Sequence, residues 1–311
     1  MAERVLLTGA SGFLGRVLCH QLVQNGYHVT GLDKHLPTRS TELTGPHEFI
    51  QCDLIKPQKI VPRHFDTIFH LAGMGSPSLS IQLPAQDFTE NLIATFQLLE
   101  KIRQYAWRGR LVYVSTAAAY GEPQQIPIAE ETPGRPISPY GVSKLACEEY
   151  VRVFSQYYGF SAVIARIFSL YGPRQKKQVI YDILRKTLLS DKPITLFGDG
   201  CEVRDFIHVN DAVQALLLLV KHAEIGAPLF NVCSASGITI RELAEQILVL
   251  AGESPERIIF TGQRKSGDPN HWVGCNRKLC EAGFSLDYSL SRGLTDTLHW
   301  FRQVNRVKAL S

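Results

Sequence analysis

The chain has 311 residues, of which 45% are hydrophobic and 20% are charged, a composition typical of folded globular proteins rather than disordered ones. Its 33 basic and 29 acidic residues are spread along the chain without a long basic run, so a nucleic-acid partner is not expected. The longest apolar stretch, Ala215 to Val220, is far shorter than the roughly 20 residues that span a bilayer, so no membrane segment is expected.

The first half of the chain alternates short apolar runs with helical patterns, which predicts six strands and three helices. The predicted strands are Arg4–Thr8, His28–Asp33, Phe49–Leu54, Thr67–Ala72, Leu111–Thr116 and Ala162–Phe168, and the predicted helices are Phe13–Asn25, Asp87–Tyr105 and Pro139–Tyr158. Strands that alternate with helices require crossover connections. They therefore predict an α/β fold with a doubly wound parallel sheet of the Rossmann type.

The pattern becomes less regular after Tyr171, with a helix predicted over Val179–Leu189 and a strand near Ile194–Phe197. We therefore predict a nucleotide-binding domain over residues 1–171 and a smaller, mainly substrate-binding lobe over residues 172–311. Residues 206–232 are expected to return to the first domain. Seven scattered cysteines without a Cys-x-x-Cys pair indicate reduced thiols, a cytoplasmic protein and no metal site.

A glycine pattern follows the first predicted strand directly: Gly9-Ala10-Ser11-Gly12-Phe13-Leu14-Gly15. Glycine allows a tight turn and the close approach of a pyrophosphate, and the N-terminus of the next helix offers unpaired N–H groups and a partial positive charge. Because the pattern lies between a strand and a helix, it predicts a dinucleotide site at Gly9, Gly12, Phe13, Leu14 and Gly15.

Asp33 ends the second predicted strand, eighteen positions after Gly15. A carboxylate at this position can accept hydrogen bonds from both hydroxyls of the adenosine ribose and repels a 2′-phosphate, which favours NAD over NADP. Lys34, His35 and Arg39 lie nearby and leave NADP open as the alternative.

Two more strand ends belong to the carboxyl edge of the predicted sheet, where open parallel sheets bind ligands. Asp53-Leu54 ends the third strand and Leu71-Ala72-Gly73 the fourth. We expect these residues to surround the cofactor, and Asn91, early in the next helix, to support the loop beneath it. Each of them could instead be only a turn or cap residue.

Tyr140 is the only tyrosine that is followed four residues later by a lysine, Lys144. Positions i and i+4 share a helix face, so the Lys144 ammonium can lie beside the phenol. A cation there, together with a positive nicotinamide ring, lowers the pKa of a phenol from its ordinary value near 10, which would allow Tyr140 to remove a hydroxyl proton. Thr116, at the end of the preceding strand, could hydrogen-bond the same substrate oxygen, or it could be only a buried strand residue.

These segments together resemble the extended short-chain dehydrogenase/reductases, the NAD-dependent epimerase/dehydratase family that contains UDP-galactose 4-epimerase, nucleotide-sugar dehydratases and 4-keto-sugar reductases. The resemblance extends over almost the whole chain. Its matching segments are TGASGFLG, the strand end at Asp33, HLAG at His70–Gly73, STAAAYG, YGVSK, RIFSLYGPRQ at Arg166–Gln175 and RDFIHVND at Arg204–Asp211.

The resemblance implies that Thr116, Tyr140 and Lys144 form the catalytic set for a nucleotide-diphosphate sugar, with Lys144 also holding the nicotinamide ribose. It places Ile167-Phe168 against the nicotinamide. It further implies a homodimer that pairs through the helices predicted at residues 87–105 and 139–158, where Phe88, Leu92, Phe96 and Leu99 recur near helical spacing; the same residues could equally pack on the sheet.

Substrate contacts are also implied by the resemblance. Arg204 matches an arginine that binds the diphosphate, for which a planar, bidentate donor is well suited, and Arg174 and Arg264 are further candidates. Ser169 stands where many relatives have Asn near the phosphates, so that contact is shorter or replaced. Nucleotide-sugar dehydratases carry an acidic pair where this chain has Ala117-Ala118, so dehydration is not expected.

Three functions fit these residues. The first is an NAD-dependent C4 epimerase, in which Tyr140 takes the O4 proton while the C4 hydride passes to NAD and returns to the other face of a transient 4-keto sugar. The alternative is an NAD(P)H-dependent reductase of nucleotide 4-keto sugars, which would use the same residues. A nucleotide-sensing protein on this fold is the third, and Thr116, Tyr140 and Lys144 argue against it.

Overall fold

The computed structural model describes residues 2–36, 43–263 and 267–305. Over these ranges the chain forms thirteen strands: β1 (Arg4–Thr8), β2 (His28–Asp33), β3 (Glu48–Gln51), β4 (Thr67–His70), β5 (Arg110–Thr116), β6 (Ser161–Ile167), β7 (Ser169–Tyr171), β8 (Ile194–Leu196), β9 (Val203–His208), β10 (Leu229–Val232), β11 (Gly237–Thr239), β12 (Ile258–Phe260) and β13 (His271–Trp272).

The same ranges contain ten α-helices and one π-helical segment, Phe88–Ile93. The helices are α1 (Phe13–Gln24), α2 (Pro77–Gln82), α3 (Pro84–Asp87), α4 (Ala94–Gln104), α5 (Pro139–Tyr158), α6 (Gln178–Leu188), α7 (Val209–Leu219), α8 (Ile240–Ala251), α9 (Arg277–Glu281) and α10 (Leu290–Asn305). No helix within the described ranges is long and apolar enough to cross a membrane.

Seven of the strands form one parallel sheet in the order β10-β6-β5-β4-β1-β2-β3. The predicted doubly wound Rossmann-type sheet is therefore confirmed. The order of connection reverses at β1, which pairs with β2 on one side and β4 on the other. At such a switch point the loops after neighbouring strands separate and open a crevice at the carboxyl edge.

Helices cover both faces of this sheet because its strands alternate apolar residues toward both sides. In β1, Val5 and Leu7 face a core layer that includes α1 and α7, whereas Leu6 faces the layer of α4 and α5. All three side chains are fully buried. The sheet is therefore held rigidly, and its carboxyl edge provides a fixed base for a site.

The remaining strands form two smaller sheets, one of β7, β9, β11 and β13 and one of β8 and β12. A separate core made mainly by α6, α8 and α10 packs beside them. Strand β10 lies in the large sheet, and α7 packs in the same core layer as α1. The division into lobes near residue 171 stays a prediction.

Three strands end earlier than the sequence predicts, and β6 is one of them, since it ends at Ile167 rather than Phe168. Strand β3 ends at Gln51 rather than Leu54, because Asp53 Oδ1 accepts a hydrogen bond from the Ile55 N–H at 3.0 Å and starts a turn. Strand β4 ends at His70 rather than Ala72, since the next two backbone N–H groups donate to the Thr8 hydroxyl, at 3.2 and 3.3 Å. Asp53-Leu54 and Leu71-Ala72-Gly73 are therefore loop residues that follow the strands, not strand ends.

The helix predicted over residues 87–105 is divided among three helical segments. Helix α3 ends at Asp87, the π-helical segment Phe88–Ile93 follows, and α4 continues to Gln104. The spacing of hydrophobic residues alone does not distinguish α-helical from π-helical turns. The π-helical turns are rare and often occur near functional sites.

Candidate active site

In the glycine turn after β1, Gly9 and Gly15 leave no room for a side chain. Gly9 has φ of 72°, in the left-handed region that glycine favours, and a Cβ there would lie 2.8 Å from the backbone nitrogen of Ala72. A Cβ on Gly15 would lie 2.1 Å from the Gly9 carbonyl oxygen. Gly12 is the N-cap of α1 and supplies no side-chain acceptor, so the helix N-terminus fits an anionic pyrophosphate.

Asp33 connects the end of β2 to this turn. Its carboxylate accepts hydrogen bonds from the N–H groups of Ser11 at 3.1 Å and His35 at 3.0 Å, and the Ser11 hydroxyl donates to the His35 carbonyl at 2.6 Å. An ionised carboxylate has about four acceptor positions. Asp33 is therefore held beside the glycine turn with capacity to accept two ribose hydroxyls.

A buried chain of hydrogen bonds supports the HLAG loop. The Thr95 hydroxyl donates to the Asn91 carbonyl at 2.7 Å, so it accepts from His70 Nε2 at 3.0 Å, and His70 Nδ1 in turn accepts from the Thr8 hydroxyl at 2.7 Å. Burial, followed by the charge of Lys144, lowers the pKa of His70 to about 3. The imidazole is therefore neutral, with one donor and one acceptor nitrogen, as this chain requires.

Asn91 holds the segment that follows HLAG. Its Oδ1 accepts from the Met74 N–H at 3.0 Å, and its Nδ2 donates to the Met74 carbonyl at 3.2 Å and to Asp87 Oδ1 at 2.8 Å. Asp87 is fully buried, and its other oxygen accepts from the Ser143 hydroxyl at 2.7 Å. Because Ser143 lies on α5, this polar chain fixes the loop beside the glycine turn relative to that helix.

Helix α5 begins in a way that fixes its first turn. The Ser138 hydroxyl caps the helix by accepting from the Gly141 N–H at 3.2 Å, and Pro139 occupies the first helical position. The Tyr140 N–H donates to the Ser80 hydroxyl of α2 at 3.1 Å. The backbone of Tyr140 is therefore held from two sides.

Thr116, Tyr140 and Lys144 meet between β5 and α5. Thr116 ends β5, and its side chain lies close enough to the Tyr140 phenol to work against the rise in the pKa of that phenol. Lys144 Nζ donates to the Val114 carbonyl of β5 at 2.6 Å and lies 4.4 Å from the centre of the Tyr113 ring. The structure thus brings together the three residues that the sequence indicates as a catalytic set.

The protein alone does not lower the pKa of the phenol. Burial raises the pKa of Tyr140 to about 12, and the nearby Thr116 side chain only partly offsets this. Burial also lowers the pKa of Lys144. Proton removal near neutral pH therefore needs a further positive charge beside Tyr140.

Ile167 and Phe168, at the end of β6, are buried, with 6% and 5% of their surface exposed. Phe168 belongs to a small apolar cluster that also contains Ala117 and Tyr120, and Trp272 of β13 packs against it. Ser169 follows as the first residue of β7. An apolar wall therefore continues from β6 toward the second lobe.

Arg204 of β9 lies against this second lobe and is only 6% exposed. Its guanidinium contacts Asp268 at 2.8 Å and donates to the carbonyls of Val203 at 2.9 Å and Asn270 at 3.2 Å. Its head group lies 5.8 Å from the centre of the Trp272 ring. This arrangement fixes the planar guanidinium, paired with Asp268, beside the apolar wall.

The other two arginine candidates have different positions. Arg174 lines a separate cavity of about 550 Å³ together with His20 of α1, Asn210 of α7 and Arg292 of α10. Arg264 lies outside the described residues, as does Arg39. Arg204 is thus the candidate for the diphosphate that the described structure supports best.

A family model for the NAD dependent epimerase/dehydratase family matches residues 5–233, which is more than half of the chain and includes the glycine turn and the Thr116, Tyr140 and Lys144 set. The chain belongs to this family. The family resemblance expected from the sequence is thereby confirmed.

Members of the family and their structures are similar to the chain over nearly its full length. A putative UDP-glucose 4-epimerase of Methanocaldococcus jannaschii is 28% identical over 97% of this chain and 100% of the relative. A UDP-glucose 4-epimerase of Thermotoga maritima solved with UDP-glucose is 30% identical over 97% of this chain and 99% of its own, with a TM-score of 0.89. The UDP-glucose 4-epimerase of Thermus thermophilus solved with NAD is 32% identical over 96% and 99%, with a TM-score of 0.85.

The alanines that follow Thr116 distinguish this family member from the dehydratase pattern. Residues 117–119 form a single 3-10 turn in which every side chain is buried. Because all three residues are alanine, this turn offers only backbone N–H and C=O groups. It therefore lacks the additional acid and base that elimination of water requires.

Several polar residues that shape the site were missed by the sequence reading. Glu148 continues the spacing of Tyr140 and Lys144 by another four residues, and this periodicity could have revealed it. Its carboxylate accepts from Arg166 Nε at 2.9 Å and from the Ser115 hydroxyl. It therefore joins α5 to both β5 and β6, the strands that carry Thr116 and Ile167.

Asp205 is a second buried carboxylate that was not predicted from the sequence. It is fully buried in strand β9, and its oxygens accept from the N–H groups of Ser234 at 2.8 Å, Ala235 at 3.0 Å and Gly274 at 3.1 Å. Burial raises the pKa of Asp205 to about 6, against the effect of these hydrogen bonds. An acidic residue directly after a candidate phosphate-binding arginine was the available signal.

Proposed function

We propose that this chain is an NAD-dependent nucleotide-sugar 4-epimerase. The observation that carries the proposal is the meeting of Thr116, Tyr140 and Lys144 between β5 and α5, in a sheet whose strand β1, two positions from β5, ends in a pyrophosphate-type glycine turn. The similarity to UDP-glucose 4-epimerases over nearly the whole chain supports an epimerase rather than the alternative 4-keto-sugar reductase.

The residues present fit NAD as the cofactor. The glycine turn and Phe13-Leu14 at the start of α1 suit the pyrophosphate, and Asp33 suits the adenosine ribose. We assign the remaining cofactor contacts to the loops after β3 and β4, to the helix segment after them and to the end of β6, namely Asp53, Leu54, Leu71, Ala72, Gly73, Asn91, Ile167 and Phe168. Bound NAD would supply hydride transfer from and back to the sugar C4, and its oxidised form would add the positive charge that proton removal by Tyr140 needs.

The chain's own groups handle the proton and hold the sugar. Tyr140 takes the proton from the O4 hydroxyl and gives it back, while Thr116 hydrogen-bonds the same oxygen and keeps it in reach. Lys144 supplies a fixed positive charge on the same helix face and binds the nicotinamide ribose. Arg204 binds the diphosphate, and Ser169 lies near that diphosphate. The sugar can then rotate within the pocket while its nucleotide stays bound.

We further propose that residues 1–171 bind the cofactor and that residues 172–311 mainly bind the nucleotide sugar. Arg204 and Asp205, on β9 of the small sheet, support this division.

All seven cysteines are free thiols, and a cytoplasmic location stays a prediction that agrees with them.

An epimerase must keep its cofactor through each cycle, because release of the reduced form would strand the keto sugar. We therefore expect protein purified without added nucleotide to release NAD(H) on denaturation, measured by chromatography. We also expect it to interconvert the C4 epimers of a UDP-sugar without external cofactor, followed by NMR. Activity only with stoichiometric consumption of NADH or NADPH on a 4-keto sugar would establish the reductase instead.

We also propose a homodimer that pairs through α5 and the neighbouring helix segments. On α5, Val142, Tyr150, Val153 and Tyr157 are all more than 40% exposed and recur near helical spacing. Of the four residues considered from the sequence, Phe88 is 50% exposed, whereas Leu99 is buried in the sheet core and Leu92 and Phe96 pack partly on it. The exposed face is therefore mainly on α5.

Light scattering should give a mass of twice the 34.8 kDa chain. Val153→Glu should convert the dimer to monomers, because it places a charge in the apolar interface. Val249→Glu is the matched control: Val249 is 64% exposed on α8, away from the α5 face. A wild-type monomer at all concentrations, or equal effects of the two substitutions, would rule out this interface.

A further inference from the structure

Lys34 and Glu90 form an ion pair beside the candidate cofactor site. Lys34 follows Asp33 directly, and its Nζ lies 2.7 Å from Glu90 Oε1. Glu90 belongs to the π-helical segment Phe88–Ile93, where Gln86 Nε2 also donates to Oε1 at 2.8 Å. Gln86, four residues earlier, thus positions the Glu90 carboxylate, and this carboxylate binds the Lys34 ammonium.

The position of this pair follows from the strand order. Strands β2 and β4 flank β1 in the sheet, and Lys34 follows β2, while Glu90 lies in the helical segments after β4. A contact between them therefore passes the carboxyl end of β1, where the glycine turn lies. The pair connects the segment after β2 to the helical segment after β4, on the side of the site where Asp33 would bind the adenosine ribose.

The ribose end of the cofactor is where NAD and NADP differ. NADP carries a 2′-phosphate, which the carboxylate at the strand end repels and which a cation close to that carboxylate can accommodate. Lys34 is adjacent to Asp33 in sequence and would provide such a cation. In the structure its ammonium is neutralised by Glu90, and the pKa of Glu90 stays below its usual value because hydrogen bonds from Lys34 and Gln86 outweigh burial.

We propose that Glu90 is a determinant of NAD selectivity that acts through Lys34: by binding the Lys34 ammonium it withholds this cation from a 2′-phosphate. This inference rests on the proposed NAD dependence of the enzyme. Glu90 is a positioning residue here, while Asp33 is the group that contacts the ribose. Two carboxylates then favour NAD: Asp33 repels the 2′-phosphate, and Glu90 binds the Lys34 ammonium that would otherwise pair with that phosphate.

The test is a competition between the two cofactors. Purified protein is incubated with equimolar excess NAD and NADP until the bound composition is constant, separated from free nucleotide and denatured, and both nucleotides are measured by chromatography. Glu90→Ala should raise the bound NADP-to-NAD ratio about tenfold over wild type, as expected when one charge-assisted hydrogen bond to phosphate is gained. The double variant Lys34→Ala with Glu90→Ala should return to a ratio near that of wild type.

Glu100→Ala is the matched control. Glu100 has nearly the same exposed fraction as Glu90, 23% against 22%, and pairs with Arg103. It lies ten residues further on, about 15 Å along the helix, so its loss changes net charge equally but should leave the ratio unchanged.

A general loosening of the groove would weaken both cofactors and leave the ratio constant. An unchanged ratio in Glu90→Ala, or a rise that persists in the double variant, would therefore overturn the role of Glu90. If wild-type protein binds neither cofactor, the proposed function fails as well, whereas NAD binding with an unchanged ratio refutes only this inference.

Discussion

Tyr140→Phe is expected to lower the turnover number by about 10² or more, the contribution typical of general acid–base catalysis. The substitution removes only the phenolic oxygen that would exchange the O4 proton. The fold and NAD content should be retained, because the backbone of Tyr140 is fixed through Ser80 and Ser138. The measurement is the steady-state rate of epimer interconversion, with released NAD(H) quantified on the same samples.

Tyr157→Phe is the control for this experiment. Tyr157 lies on the same helix, on the face proposed for the dimer rather than at Thr116, and phenylalanine keeps its apolar ring, so loss of its hydroxyl should leave turnover within about twofold of wild type. Near wild-type turnover in Tyr140→Phe would remove Tyr140 from the mechanism. Loss of NAD together with activity would instead show that the phenol has a structural role.

Glu148→Ala should reduce the free energy of unfolding by about 3–5 kcal/mol, the cost of leaving one partner of a buried ion pair without the other. Glu148 is fully buried and Arg166 is 4% exposed. The Arg166 guanidinium also lies 4.2 Å from the centre of the Tyr120 ring. Alanine would leave this cation and the Ser115 hydroxyl without their acceptor, in a region with no access to water.

The neighbouring residue provides a direct comparison. Glu149 pairs with Arg152, but its side chain is 58% exposed, and surface pairs of this kind contribute about 0–1 kcal/mol. Denaturant unfolding at saturating NAD should therefore separate Glu148→Ala from Glu149→Ala by several kcal/mol. Equal losses in the two variants would show that the buried pair does not anchor α5.

Local sequence signals were sufficient for the parts of the site that depend on neighbouring residues. The glycine turn lies within seven residues and Tyr140 and Lys144 within one helical turn, so their geometry follows from backbone periodicity. The bounds of β1, β2 and α5 were also predicted correctly, because apolar runs, Ser-Pro at the helix start and Gly159 at its end are local features.

Contacts between distant segments could not be predicted in this way. The chain from Thr8 through His70 to Thr95, the Asp87–Ser143 hydrogen bond and the Lys34–Glu90 pair join residues from 25 to 62 positions apart. Nothing in the local pattern shows which of many polar side chains will be partners. The early end of β4 has the same origin, since the Leu71 and Ala72 N–H groups donate to the hydroxyl of the distant Thr8, whereas β3 ends at a local turn made by Asp53.

The sequence by itself determined the parallel sheet and the glycine turn between β1 and α1, because periodicity and short motifs specify them. The catalytic role of Thr116, Tyr140 and Lys144, which the family resemblance implies, stays a prediction. Only the tertiary structure decided the electrostatic state of the site. Burial raises the pKa of Tyr140 and lowers those of His70 and Lys144, and burial depends on what the completed fold excludes from water. A pKa is therefore a property of the packed environment, which no single segment of the chain contains.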